Sequence, residues 1–233
     1  MNGTKDRTTQ VGADHRRFLG PKETHRLLDR YGIGRVRAIY ENQWDKGNII
    51  ASANRLGYPV VMKLDAEGLS HKSDAGCVRL NLRSAEEVSA AYDDILGRAG
   101  AVIHPGAIKG FLIQEMEEVE HEVIIGLSED PTFGKIILFG VGGVFVELLG
   151  DVSIRKIPID VLDARDMIEE IRGFAVLKGA RGKPAANLEQ LTQMLLAVSR
   201  IGSEMDEIGE MDLNPVLVAA VVQTGRRDWH ILI

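Results

Sequence analysis

Residues 57–82 read Gly57-Tyr-Pro-Val-Val-Met-Lys-Leu-Asp-Ala-Glu-Gly-Leu-Ser-His-Lys-Ser-Asp-Ala-Gly-Cys-Val-Arg-Leu-Asn-Leu82. Tyr58 to Leu64 is a short apolar run with the character of a buried strand, and Cys77 to Leu82 alternates like a half-buried one. The polar loop between them carries Gly68 and Gly76, where the backbone can bend. Lys63 lies among apolar neighbours near its strand's end. Its charge either meets an anion, such as a nucleotide phosphate, or snorkels to solvent. In the loop, His71 stands with Lys72, Ser73 and Asp74. Such an imidazole can serve as base, metal ligand or phosphoryl acceptor, and composition alone is equally satisfied by a solvated surface loop.

Outward from this stretch the chain alternates helices and strands. Residues 1–18 are polar and aperiodic and read as a loose arm. Pro21 opens a helix that Gly32 ends, and a second helix runs to Leu56. Ser84 with Glu87 forms a capping box for a helix to about Arg98. Strands follow at Phe111–Met116, Glu122–Leu127, Lys135–Phe139, Val144–Leu149 and Val152–Ile157. Helices then span Asp163–Arg172 and the run after Asn187, and strands at Glu210–Leu213, Val216–Val222 and Trp229–Ile233 complete the chain. These mixed blocks indicate an α+β protein with antiparallel pairing.

Composition removes several function classes. Apolar residues make up 45% and charged residues 27%, those of an ordinary globular chain, and the net charge of −6 without a basic run argues against a nucleic-acid track. The longest apolar stretch, Ile136 to Val146, is too short to span a membrane. Cys77 is the single cysteine, which excludes an intrachain disulfide and fits a reducing, cytoplasmic setting. The 25 glycines exceed the usual share, so many must serve turns or close backbone approaches.

Two further clusters carry potential chemistry. Gly140-Val-Gly-Gly143 follows an apolar strand and can turn successive N–H groups toward a phosphate, or simply make a turn. It is neither a dinucleotide fingerprint nor a Walker loop. In Glu210-Met-Asp-Leu-Asn-Pro215, strand geometry places Glu210, Asp212 and Asn214 on one face, about 6.6 Å apart in sequence neighbours. Hard oxygen ligands at that spacing suit magnesium bridged by phosphate, or a polar strand surface.

Taken in order, Gly57-Tyr-Pro-Val-Val-Met-Lys63, His71-Lys-Ser-Asp-Ala-Gly76, Phe139-Gly-Val-Gly-Gly-Val-Phe-Val-Glu147 and Asp212-Leu-Asn-Pro215 resemble the ATP-grasp β subunits of ADP-forming acyl-CoA synthetases. This is the acetate–CoA ligase family, more distantly similar to succinyl-CoA synthetase β. The resemblance covers residues 19–233 and implies an ATP-grasp fold: two α/β lobes with mixed or antiparallel sheets enclosing a nucleotide, the smaller lobe spanning about residues 40–112.

The resemblance also implies roles. Lys63 reaches a nucleotide phosphate, the backbone of Gln114, Glu115 and Met116 reads adenine, Glu122 binds ribose, and Gly142 and Gly143 lie near phosphate. Asn214, Asp212 and Asp228 hold Mg²⁺, Arg155 faces the phosphates, and His71 receives a phosphoryl group. The implied ligands are ATP or ADP with Mg²⁺, and the implied partner is a CoA-binding α subunit. The competing readings are another ATP-grasp carboxylate ligase and a non-catalytic nucleotide-binding regulatory subunit. Two departures stand out: Cys77 replaces a usual glycine, and Gly225-Arg-Arg227 replaces an apolar run before Asp228.

Overall fold

Proline at the first helical position and a glycine just past the end delimit α1 (Pro21–Arg30). Gly32 closes it at φ +71°, a conformation only glycine adopts without strain. In the computed structural model the described residues are 19–67, 76–100, 103–116, 121–142, 150–180, 182, 184–218 and 229–231. The N-terminal arm thus lies outside the described residues, as do His71, Gly143, Asp228 and the strand expected at Val144–Leu149.

The smaller lobe contains β1 (Ala38–Glu41), α2 (Lys46–Leu56), β2 (Val60–Ala66), β3 (Val78–Leu82), α3 (Ala85–Ala99) and β4 (Ile108–Glu115). Its four-stranded sheet has the order β1-β4-β2-β3. Both helices start on side-chain caps: Asp45 accepts the Asn48 N–H at 3.1 Å and Ser84 accepts the Glu87 N–H at 3.3 Å. Ile49, Ala53, Val88 and Ile95 of the helices pack on Met62, Leu64, Phe111 and Ile113 of the sheet. Alternation along β2 therefore turns Val61, Lys63 and Asp65 to the face without helices.

The larger lobe contains β5 (His121–Asp130), β6 (Gly134–Val141), β7 (Val152–Lys156), α4 (Val161–Glu170), α5 (Phe174–Leu177), α6 (Leu188–Glu204), β8 (Met211–Val218) and β9 (Trp229–Ile231). Its five-stranded sheet has the order β7-β6-β5-β8-β9. One face is covered by helices: Ile125, Leu127, Ile137, Phe139 and Leu213 share a core with Met167, Ile168, Leu195, Val198 and, from α1, Leu28. Lys135 Nζ donates to the Gly202 and Met205 carbonyls at 3.0 and 2.9 Å, which places a cation at the C-terminal end of α6. Among the described residues every strand pairing is antiparallel, so neither sheet is mixed. No helix is long and apolar enough to cross a membrane among these residues.

The structure departs from the sequence expectation at two elements. β1 lies within the stretch expected to lead into the second helix, which starts only at Lys46. β8 runs through Pro215 as one strand, because the β5 ladder slips between Val123 and Ile125 at that point and needs no N–H from a proline.

Candidate functional site

Register decides which side chains share a face. Across the smaller sheet Lys63 lies opposite Leu112, which lies opposite Tyr40; Val61 lies opposite Gln114, which lies opposite Ala38. All six therefore point to the face away from α2 and α3. Val61 and Leu112 are buried yet belong to neither helical core, so this face is occluded without a helix of the described residues covering it. Gln114 is 1% exposed, and among the described residues its Oε1 accepts no hydrogen bond. An orphaned buried amide oxygen costs about 1–3 kcal/mol, which makes it a receptive point for a donor on a ligand.

Two groups predicted to read adenine are already engaged within this lobe. The Glu115 N–H donates to the Arg37 carbonyl at 2.9 Å, and the Met116 N–H donates to the Pro59 carbonyl at 3.0 Å. The Glu115 carboxylate is held by the Arg37 guanidinium, Nε to Oε2 at 2.7 Å and Nη2 to Oε1.

On the larger sheet Glu122 lies opposite Leu217, and Gly126 lies opposite both Asp212 and Leu138. Glu122 and Asp212 thus project from the face without helices, and both are exposed, as is Asn214. Gly126 offers no side chain beside Asp212, which leaves room there. The crowding of surrounding protein, reinforced by the Glu210 carboxylate, holds the Asp212 carboxyl above the usual carboxylate range. The Gly142 N–H donates to the Glu122 carbonyl at 2.8 Å. A Cβ at Gly142 would come within 3.2 Å of that oxygen, so the close approach of these two strands favours glycine.

Arg155 does not join this group. It lies opposite Ile137, a residue of the helix-covered core, and its guanidinium makes a two-pronged pair with Glu170 of α4, both contacts at 2.7 Å. That pairing holds the Glu170 carboxyl below the usual range. Alternation along β7 turns Arg155 to the helical side of the sheet.

A hard, oxygen-only donor set suits magnesium, which binds through one or two carboxylates and completes its shell with phosphate and water. Asp212 and Asn214 fit this set, and the mutual repulsion of Asp212 and Glu210 is what a divalent cation would relieve. Among the described residues no three acidic, histidine or cysteine side chains gather into a metal cluster.

Sequence reasoning missed a contact beside Lys63. Tyr40 Oη donates to Asp65 Oδ2 at 2.8 Å, crossing over Gly110. A lone glycine within a strand pattern signals a close approach of this kind, and Gly110 was that signal.

The model of the ATP-grasp domain family matches residues 10–224. The chain belongs to the ATP-grasp family. It is 42% identical over 210 residues to the β subunit of ADP-forming acetate–CoA ligase II of Pyrococcus furiosus, covering 90% of this chain and 88% of that one. Among solved structures, the dinucleotide forming acetyl-coenzyme A synthetase 1 of Ca. Korarchaeum cryptofilum, in complex with coenzyme A and Ca-AMPCP, is 38% identical with a TM-score of 0.80, covering 91% of both chains. A second structure of that synthetase, 36% identical with a TM-score of 0.71 and 91% coverage of both chains, holds coenzyme A and Mg-AMPPCP. Its phosphohistidine segment points towards the nucleotide binding site. Among the described residues the ATP-grasp member therefore combines two antiparallel sheets, each with one helix-free face, and those faces carry Lys63 and Gln114 on one and Glu122 and Asp212 on the other.

Proposed function

We propose that this chain is the nucleotide-binding β subunit of an ADP-forming acyl-CoA synthetase, acting in the cytoplasm with a separate CoA-binding α subunit. The reaction is acyl-CoA + ADP + phosphate ⇌ carboxylate + CoA + ATP. The observation that carries this reading is the likeness to a chain named as an ADP-forming acetate–CoA ligase β subunit, at 42% identity over 90% of this chain.

In this reading the nucleotide lies against the two helix-free faces. Lys63 neutralises phosphate charge, Glu122 binds the ribose hydroxyls, and Gln114 Oε1 accepts from a donor on the base. Gly142, with Gly143, lets the backbone approach the phosphates. Asp212 and Asn214, with Asp228, hold Mg²⁺, which supplies charge neutralisation to the phosphates. Phosphoryl transfer demands mainly positioning and charge compensation from a protein. His71 supplies the one covalent function, attacking through a neutral ring nitrogen.

The direct test mixes the chain with its cognate α subunit and measures ADP- and phosphate-dependent ATP formation from acyl-CoA. Turnover is expected only from the mixture. Labelling from [γ-³²P]ATP is expected to be acid-labile, as a phosphohistidine is. Acid-stable label, or turnover by either chain alone, would sink the assignment.

Asp212→Asn tests the metal site. A carboxyl raised in the folded state contributes stability below its unfolded pKa and loses it as pH rises through the folded one, so ionised Asp212 weakens the free fold at neutral pH. The variant is therefore expected to unfold at the same or a higher temperature while binding Mg²⁺–nucleotide at least about tenfold more weakly, a loss of ~1.4 kcal/mol. In the wild type, Mg²⁺-dependent affinity should weaken as pH falls into the raised carboxyl's range. Calorimetric titration at several pH values would find that dependence absent from the variant.

A further inference from the structure

Gln114 is the next-to-last residue of β4, where the chain leaves the smaller sheet towards β5. Of the two ends of its buried amide, the oxygen is the one left without a hydrogen-bond partner among the described residues. Stability does not call for this arrangement. A leucine would fill a similar volume and leave no acceptor stranded away from water. The surroundings give the oxygen a direction of use. Val61 lies opposite Gln114 on one side and Ala38 on the other, and Leu112 shares the face two residues back along β4. Val61 and Leu112 are buried, so apolar surface flanks the amide. Lys63 stands on the diagonal from Gln114 across the β2–β4 ladder, about 7–8 Å away between backbones. The face thus runs from a cation, through apolar surface, to an acceptor shielded from bulk water.

We infer that Gln114 Oε1 selects the base: it favours a purine with an amino group at C6 and rejects one with an oxygen there. Adenine nucleotides are then used, and guanine and hypoxanthine nucleotides refused. The selection rests on the reading of this face as the seat of the nucleotide base. The 6-amino group of adenine carries two N–H donors, one of which completes the stranded oxygen. In a 6-oxopurine the substituent is an acceptor, and the proton sits on N1 instead. Two oxygens then face each other in a site closed to water, and neither finds a hydrogen. A site built around a substrate N–H discriminates against an analogue without it far more strongly than an apolar pocket discriminates by size. Lys63 acts on phosphates that all these nucleotides share, so it adds affinity without choosing the base.

Three diphosphates that differ only around C6 test this: ADP, purine riboside 5′-diphosphate with hydrogen at C6, and IDP with oxygen. Each is titrated calorimetrically, with Mg²⁺, into the chain mixed with its α subunit. Affinity is expected to fall in that order, with IDP at least about tenfold weaker than ADP. Gln114→Leu should weaken ADP about tenfold and bring the three nucleotides to similar Kd, while unfolding at the same or a higher temperature. A merely structural glutamine behaves otherwise: its loss lowers the unfolding temperature and weakens all three alike, and that result overturns the inference. Equal Kd for ADP and IDP in the wild type also overturns it, since an amide turned over to present Nε2 would welcome O6. So does a wild-type preference that survives in Gln114→Leu, which puts the choice elsewhere. Should Gln114→Leu misfold, Gln114→Met removes the same oxygen and is read the same way. Binding of none of the three by the wild type would instead sink the nucleotide reading itself, a result distinct from equal binding of ADP and IDP.

Discussion

Replacing His71 with alanine is expected to abolish ADP-dependent ATP formation by the chain mixed with its α subunit, with nucleotide binding retained. The loss should be at least about a thousandfold, as for removal of a covalent nucleophile in other enzymes. The argument runs from chemistry to position. Within Gly68–Gly76, serine, lysine and aspartate accompany the imidazole, but only the imidazole offers a neutral nitrogen nucleophile near pH 7. The strand before it delivers Lys63 to the same helix-free face that carries Gln114. Alanine at position 71 removes the acceptor and leaves those groups in place, so Kd for ADP and ATP should hold while acid-labile label disappears. Full turnover by the variant would show that phosphate passes directly between nucleotide and the α subunit.

How far the sequence reveals this arrangement depends on the length scale of each signal. Local devices are legible: the Ser84–Glu87 cap, the Asn187 cap that accepts the Gln190 N–H at 3.2 Å, and the helix-ending Gly32 and Gly57 all appear in the structure. Faces within a single long strand are legible too, which is how Asp212 and Asn214 were grouped. What depends on partners is not. β1 has four residues of intermediate burial and no period, and it exists because β4 offers it an edge. The direction of Arg155 is fixed by standing opposite Ile137, a fact of register between β6 and β7 that no motif carries. Likewise no local pattern shows that Arg37 and Pro59, distant in sequence, accept the Glu115 and Met116 N–H groups.

Gly110→Ala is expected to destabilise the smaller lobe by roughly 3 kcal/mol, at the upper end of ordinary overpacking costs. A Cβ at Gly110 would run into the Glu41 carbonyl oxygen and come within 2.9 Å of Tyr40 Oη. The two collisions differ in kind. Tyr40 is a side chain that can swing away, at the cost of its hydrogen bond to Asp65, whereas Glu41 is backbone in β1. Relief at Glu41 means moving an edge strand of four residues off β4, breaking the ladder that pairs Ala38 with Gln114 and Glu41 with Phe111. For a chain of this size, ~3 kcal/mol corresponds to a fall of about 6–12 °C in unfolding temperature. Truncating Tyr40 in the same chain separates the contributions. If the backbone clash dominates, Gly110→Ala/Tyr40→Ala is no more stable than Gly110→Ala, because the Glu41 carbonyl is still in the way. Recovery of wild-type stability in the double variant would mean that the Tyr40 ring, not the β1 backbone, sets the limit at this crossing. An unfolding temperature unchanged in Gly110→Ala would mean that β1 does not press on β4 there at all.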